Sequence, residues 1–460
     1  MENLDTTIVN TAVPTMSVSL AVPPLSLKAV LTSYTISLAV FIPISGWMAD
    51  RYGTKRIFAL AITLFMLGSL FCGLALDLPM LVAARILQGV GGAMMTPVGR
   101  LALVRAFPRS EILTAMNYVV IPALIGPLLG PLTGGLIVRW LPWRVIFFIN
   151  IPFALIGLSL LRRYMPDFRE PGVAPLDKKG FVLFGAGIAL FSYVLEIFGE
   201  HTLGTGAVLL LLSCSGVLLL AYGWHARQFE APVLDVELLR VRTFRLSILG
   251  GLVTRLGIGG MPFLLPLLYQ IGLGYAPWQA GLLTMPVAAA AIGMKLLSRP
   301  LLARFGHRCV LIVNTVLLGV NMMIFMHISP GTPVWDILML SFAQGFFSSL
   351  QFTSINTLTY ADVANHDASK ASSIASTAQQ MALSFGVAFA SLLAAWFLGN
   401  VHGAAELVPA IHHALLILGC VTVVSSLIFA GLHAHDGDNV SNRVSRKIHA
   451  NIKEAQTAQA

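Results

Sequence analysis

Gly46-Trp47-Met48-Ala49-Asp50-Arg51-Tyr52-Gly53-Thr54-Lys55-Arg56 is a short polar turn wedged between two long apolar runs. Those runs, 28–48 and 57–76, are each long enough to cross the roughly 30 Å hydrocarbon core of a bilayer as a helix. A basic loop alone suffices to anchor such helices. Here the loop also carries an acid, Asp50, and a glycine, Gly53, that permits a turn a side chain would resist. That pattern asks for a purpose beyond anchoring.

Composition extends the membrane reading to the whole chain. The 460 residues are 57% hydrophobic and only 11% charged, with a mean hydropathy of +0.82; a soluble domain would carry about a quarter charged residues. No hydrophilic stretch is long enough for a separate soluble domain. The net charge of +9 is spread over short loops, which argues against nucleic-acid binding. Cys72, Cys214, Cys309 and Cys420 are scattered in apolar runs, with neither a disulfide framework nor metal spacing. Walker-type and HExxH motifs are missing, so ATP hydrolysis, zinc chemistry and an enzymatic role are not expected. No cofactor is implied.

Apolar runs of about 20 residues predict spans at 28–48, 57–76, 80–103, 112–138, 145–161, 180–199, 206–223, 246–270, 277–298, 309–329, 334–358, 371–398 and 409–433. Residues 1–20 read as a further span that is incomplete, interrupted by Glu2 and Asp5. With 1–20 as the first span, alternate loops are basic: Arg51, Lys55, Arg56; Arg100, Arg105, Arg109; Arg162, Arg163, Arg169, Lys178, Lys179. Then follow Arg227, Arg240, Arg242, Arg245; Arg299, Arg304, Arg308; Lys370; and a tail with Arg443, Arg446, Lys447 and Lys453. The intervening loops hold only Lys28, Arg139 and Arg144. The basic side, and the polar tail from about His433, are therefore expected in the cytoplasm of a cell with this protein in its inner membrane.

Several stretches resemble signatures of the major facilitator superfamily. The loop 46–56 is similar to the one between its second and third helices. Arg85-Ile86-Leu87-Gln88-Gly89-Val90-Gly91-Gly92 resembles its fourth helix, and Gly126-Pro127-Leu128-Leu129-Gly130-Pro131-Leu132-Thr133-Gly134-Gly135 the antiporter motif of its fifth. The segment 4–14 (LDTTIVNTAVP) and Phe147-Phe148-Ile149-Asn150-Ile151-Pro152 are similar to motifs of the fourteen-span drug:proton antiporters. In those relatives the first-helix signature falls near mid-membrane, which fits a first helix lacking its start.

The resemblance implies an all-α polytopic fold of two pseudo-symmetric six-helix bundles, 1–161 and 246–433. Two extra central helices fall in 162–245, and a polar tail in 434–460. It also implies a monomer that exports small molecules against protons by alternating access, with the proton gradient as its energy source.

An internal repeat agrees. Arg304-Phe305-Gly306-His307-Arg308 echoes Arg51-Tyr52-Gly53-Thr54-Lys55, and Gln344-Gly345 echoes Gln88-Gly89. The second copy is degraded: Ala303 stands for Asp50 and Ser341 for Arg85. The specialised chemistry is expected in the first half.

Physical roles follow. Gly46, Asp50, Arg51, Gly53, Lys55 and Arg56 read as a conformational latch, with Asp50 meeting Arg51, another basic neighbour, or a helix N-terminus of the other half. The alternative is simple anchoring. Arg85 lies inside an apolar run, where an unpaired charge costs at least about 2.5–3.5 kcal/mol, so it needs a partner among Asp5, Gln88 and free carbonyls. Asp5 reads as the proton carrier, because burial and a nearby cation pull a carboxyl group's proton affinity in opposite directions. Glu196 is a second candidate, with an interfacial position as its alternative.

Gly126, Pro127, Gly130, Pro131, Gly134 and Gly135 suit close helix packing, and in the family this helix seals the halves against leak. Asn10, Gln88, Arg255, Lys295 and Gln344 are candidates for a substrate cavity between the halves. Arg85, Arg255 and Lys295 set three embedded cations against one clear acid, a balance that leans toward anionic or zwitterionic substrates. A passive uniporter and an inactive truncated product are the competing readings.

Overall fold

A bilayer interior offers the backbone no hydrogen-bond partners, so a spanning chain must satisfy its own amides, and helices do so locally. The computed structural model describes residues 1–106, 126, 128–170, 172–197, 205–363, 367–398 and 404–438, and these are helical nearly throughout. In chain order the helices are α1 (Glu2–Leu20), α2 (Lys28–Tyr52), α3 (Thr54–Leu74), α4 (Leu78–Ala106), α5 (128–140) and α6 (Val145–Tyr164). There follow α7 (Lys178–Ile197), α8 (Thr205–Ala226), α9 (Arg242–Gly272), α10 (Pro277–Phe305) and α11 (His307–His327). The last are α12 (Val334–Thr359), α13 (Ala368–Leu398) and α14 (Ala404–Ala430).

Among the described residues, 11 helices are long and apolar enough to cross a membrane. The expected span 334–358 is the helix α12, whose polar side chains turn inward: Ser341, Gln344, Gln351 and Ser354 are buried. Of the expected span 112–138, residues 112–125 lie outside the described residues. Glu2 and Asp5, read above as interruptions of the first span, lie inside a continuous 19-residue helix.

In the first group of helices, α1–α6, helix α3 packs against α4, α4 against α2 and α6 against α3, while α2 also packs on α13 and α1 on the Met261–Leu267 part of α9. Helices α9–α14 form a second group, with α10 against α12, α11 against α14 and α9 against α13. The pair α7–α8 packs against α2 of the first group and α7 against α13 of the second. Phe184, Tyr222, Phe244 and Ile36 share one buried apolar cluster there.

Two turns show that the internal repeat is structural. Gly53 joins α2 to α3 at φ 104, and Gly306 joins α10 to α11 at φ 76. Each glycine N–H donates to the carbonyl four residues back, Ala49 and Leu302, at 2.9 Å. A Cβ at Gly53 would also collide with the Asp167 carboxylate. Gly53→Ala is therefore expected to destabilise by roughly 1–3 kcal/mol. Gly46, inside α2 with open space around it, should gain about 0.5–1 kcal/mol on replacement by alanine. Thermal melting of the two purified variants checks the contrast; equal melting points would refute it.

Candidate functional site

At the end of the bundle that bears the Gly53 and Gly306 turns, the first loop is held by a strap formed from residues 165–170 and 172–177. Arg105, at the end of α4, donates to Asp50 Oδ1 at 2.9 Å and lies 2.9 Å from Glu170 Oε1. The Glu170 N–H donates to the Asp50 carbonyl at 3.1 Å, and Thr54 N–H to the Phe168 carbonyl at 3.0 Å. Asp167 accepts from the Lys55 N–H at 3.0 Å and sits 3.8 Å from Arg56 Nε. Lys55 Nζ donates to the Arg162 carbonyl at 2.9 Å.

Among the described residues Asp50 thus pairs with neither Arg51 nor a helix of the other group. Its carboxylate accepts from an arginine of its own group, and its backbone carbonyl from the Glu170 N–H of the strap. Arg51 is exposed, beside Tyr52, Arg169, Glu170 and Gly172.

Toward the opposite end lies a polar cluster sealed in apolar surroundings. Asp5, Arg85, Gln88, Asn150 and Ser69 are all at most 1% exposed. Arg85 Nη1 donates to Asp5 Oδ2 at 2.5 Å and to Gln88 Oε1 at 2.7 Å, and its Nε donates to the Val30 carbonyl at 3.0 Å. Asp5 Oδ1 accepts from Gln88 Nε2 at 2.9 Å and from Asn150 Nδ2 at 2.8 Å. Ser69 Oγ accepts from both amides, at 3.2 and 2.9 Å, and donates to the Phe147 carbonyl at 2.9 Å. The Arg85 guanidinium lies 4.3 Å over the Tyr34 ring.

The contributors come from five helices: α1, α2, α3, α4 and α6. Ser69, Arg85 and Asn150 all sit five to seven residues from their helix ends on the side opposite the strap. At 1.5 Å per residue, those three lie roughly 8–10 Å inside their ends, while Asp5 lies fifteen residues before the end of α1 on the same side.

The sequence pattern had singled out Asp5, Arg85 and Gln88, and the fold brings them together. It missed the roles of Ser69, Tyr34 and Asn150, although Asn150 stands in the quoted motif 147–152. Glu196 belongs to α7, and its side chain lies outside the described residues, as does Pro127. Gln88 is part of the carboxylate cluster instead of a separate cavity. Gln344 pairs with Asn321 at 2.9 Å and Ser348 at 3.5 Å inside the second group. Lys295 is exposed on α10, and Asn10 is half-buried on α1. Arg255 is buried on α9, apart from the Asp5 cluster.

Gly130, Gly134 and Gly135 of the 126–135 motif make close approaches to other helices. A Cβ at Gly130 would strike the Thr7 side chain, and one at Gly134 the Ile8 carbonyl, both on α1; Thr7 Oγ1 also donates to the Gly126 carbonyl at 3.3 Å. Gly135 abuts the Pro277 carbonyl and Trp278 of α10, and in return Gly281 abuts Pro131 and Leu132. Three hydrogen bonds add to this junction of the two groups: Gln270 Nε2 to the Thr11 carbonyl at 2.9 Å, Ser391 Oγ to Leu25 at 3.2 Å and Ser384 Oγ to Thr32 at 3.3 Å.

The sequence profile of the Major Facilitator Superfamily matches residues 1–387. A relative named "Putative multidrug resistance protein MdtD" from Enterobacter sp. (strain 638) is 40% identical over 445 residues, spanning 96% of this chain and 94% of the relative. A protein of the same name from Serratia proteamaculans (strain 568) is 38% identical over 453 residues, 97% and 93% of the two chains. Among solved structures, the POT family transporter PepTSo superposes with a TM-score of 0.68 at 14% identity, over 93% of this chain and 95% of that one. The D-xylose-proton symporter gives 0.65 at 18% identity, over 95% of each. The fold and the similarity along nearly the whole length agree: the chain is a multi-pass membrane transporter, not an enzyme, and belongs to the major facilitator superfamily.

Proposed function

We propose that this protein is a proton-coupled antiporter that exports small molecules across the bacterial inner membrane by alternating access, with Asp5 as the proton carrier. Its strap-bearing end, rich in lysine and arginine, faces the cytoplasm in this reading, as does the C-terminus. The relatives named for multidrug resistance support an export role. The observation that carries the proposal is the Asp5 carboxylate itself, buried and shared by Arg85, Gln88 and Asn150.

In the ionised form Asp5 ties α1 to α4 and α6 through three charge-assisted hydrogen bonds. Protonation removes the ion pair with Arg85, which stays charged because a guanidinium does not release its proton. The new O–H needs an acceptor. Asn150 Oδ1 is buried and without a partner among the described residues, and a turn of that amide would supply one. Helix α1 also carries the Thr7, Ile8 and Thr11 contacts to α5 and α9, so a change in how Asp5 is held acts on the junction between the halves. Titration and opening are coupled through one helix.

Asp5→Asn keeps the shape and removes the titration. In liposomes with an imposed pH gradient, this variant should lose gradient-driven movement of ethidium or other test compounds. It should keep exchange of the same compound across a membrane without a gradient. Gradient-driven transport at the wild-type rate would sink the assignment.

A further inference from the structure

We propose that Arg255 is the anchor for an organic anion, a small molecule with a carboxylate on an apolar body, in the substrate path between the two halves. This rests on the transport function proposed above and names the class of compound carried.

Arg255 is 5% exposed. Its Nη2 donates to Asn356 Oδ1 at 3.2 Å, and its guanidinium lies 5.2 Å from the centre of the Phe352 ring. The Nε–H has no partner among the described residues, and no carboxylate there pairs with this cation. A guanidinium offers five N–H donors, so one weak bond to a neutral amide leaves the group far from satisfied. Removing such a charge from water without a counter-ion costs several kcal/mol. Cations kept inside a membrane at that cost mark substrate or ion paths.

The first half shows what a satisfied guanidinium requires in this protein. Arg85 also lies over an aromatic ring, but it has the Asp5 carboxylate, the Gln88 carbonyl group and the Val30 carbonyl. Arg255 has the ring and a neutral amide. The missing partner is an acid, and the described acids in and beside α12–α14 (Asp336, Asp362, Asp367, Glu406) stand at or near helix ends. The socket is built to keep the group in place: a Cβ at Gly251, one turn earlier on α9, would meet Arg255 Nη1.

Position supplies the route. Met261–Leu267 of α9 packs on α1 of the other half, and Arg255 lies six residues nearer the strap end. Asn356 is exposed and Phe352 half-buried, so the guanidinium lies one layer beneath accessible groups. A carboxylate matches the guanidinium fork, and the Phe352 face suits an apolar or aromatic body beside it.

The test uses the purified full chain in a neutral detergent, with 1-naphthoate, octanoate and phenylacetate as probes and tetraphenylphosphonium and 1-naphthamide as comparators. Calorimetry should find saturable binding of at least one carboxylate, weakened about tenfold or more in Arg255→Gln and less in Arg255→Lys. Ligand-free Arg255→Gln should melt no lower than wild type, because it loses an uncompensated charge; a structural arginine would lower the melting point. Equal carboxylate affinity in Arg255→Gln, no carboxylate binding at all, or preference for tetraphenylphosphonium would each overturn the proposal. So would complete displacement of the probe by chloride or by phosphatidylglycerol micelles at equal concentration, which would assign the cation to an inorganic ion or a lipid headgroup. Binding needs no proton gradient, so failure here leaves the Asp5 coupling standing, and failure of coupling leaves this result intact.

Discussion

Arg85→Ala is expected to lose most of the folded protein, with a destabilisation of about 3–5 kcal/mol. The substitution leaves the Asp5 carboxylate at 1% exposure with only two amide donors, and it empties the space under the Tyr34 ring. Against a total stability of roughly 5–15 kcal/mol, that is a large share. Size-exclusion profiles of heated, detergent-solubilised protein measure it.

The charge-free pair Asp5→Asn with Arg85→Gln should recover much of the loss, since an amide pair leaves no buried ion behind. A double-mutant cycle would then show strong coupling between positions 5 and 85. If Arg85→Ala melts within a degree of wild type, the buried ion pair does not hold α1 to α4. The coupling scheme built on it would fall as well.

Gly135→Leu and Gly281→Leu are expected to abolish export while leaving the protein inserted and monodisperse. Each glycine faces the backbone of the other half, Gly135 at Pro277 and Gly281 at Pro131. A side chain in either place cannot turn aside, because the obstacle is a carbonyl and not a flexible chain end. The halves must then stand apart at this junction, and small-residue contacts of this kind are what bring helices into backbone contact in lipid. Liposomes bearing these variants should dissipate an imposed pH gradient faster than wild type, as read by an entrapped pH-sensitive dye. Gly216→Leu and Gly223→Leu, on α8 with nothing within 4 Å of a Cβ, are the controls and should transport normally. Normal export with a tight membrane in Gly135→Leu would remove the sealing role.

Part of the site is readable in one dimension, for a physical reason. An arginine within an apolar run creates a demand that few residues can meet, and Asp5 is the clearest acid available in the first half. The sequence leaves Asp5, Gln88 and free carbonyls open as partners of Arg85, and the fold uses all three. Ser69, Tyr34 and Asn150 create no such demand. A hydroxyl or amide in a helix can bond its own backbone or a neighbour, so its presence does not point to one partner.

The strap shows the reverse difficulty. Asp167, Glu170 and Asp177 are three acids in a loop that also holds Arg162, Arg163, Arg169, Lys178 and Lys179, which was a usable signal. Yet charges near water have many solutions, and the choice of Arg105 for Asp50 depended on where α4 ends beside α2. Gln344 marks the limit of reading cavity residues by position along a span. The face of the helix decides, and Gln344 turned to Asn321.

Run length, the siting of lysine and arginine and the repeated glycine turns were enough to establish the membrane class, the succession of helices and the two related halves. Transfer of a segment into hydrocarbon and the handedness of a turn depend on nearby residues alone. Which charges meet, how deep the carboxylate cluster lies and which cation was left without an acid came only from packing. Electrostatic pairing acts between atoms far apart in the chain, 80 residues for Asp5 and Arg85, and its energy exists only once distinct helices have been set side by side.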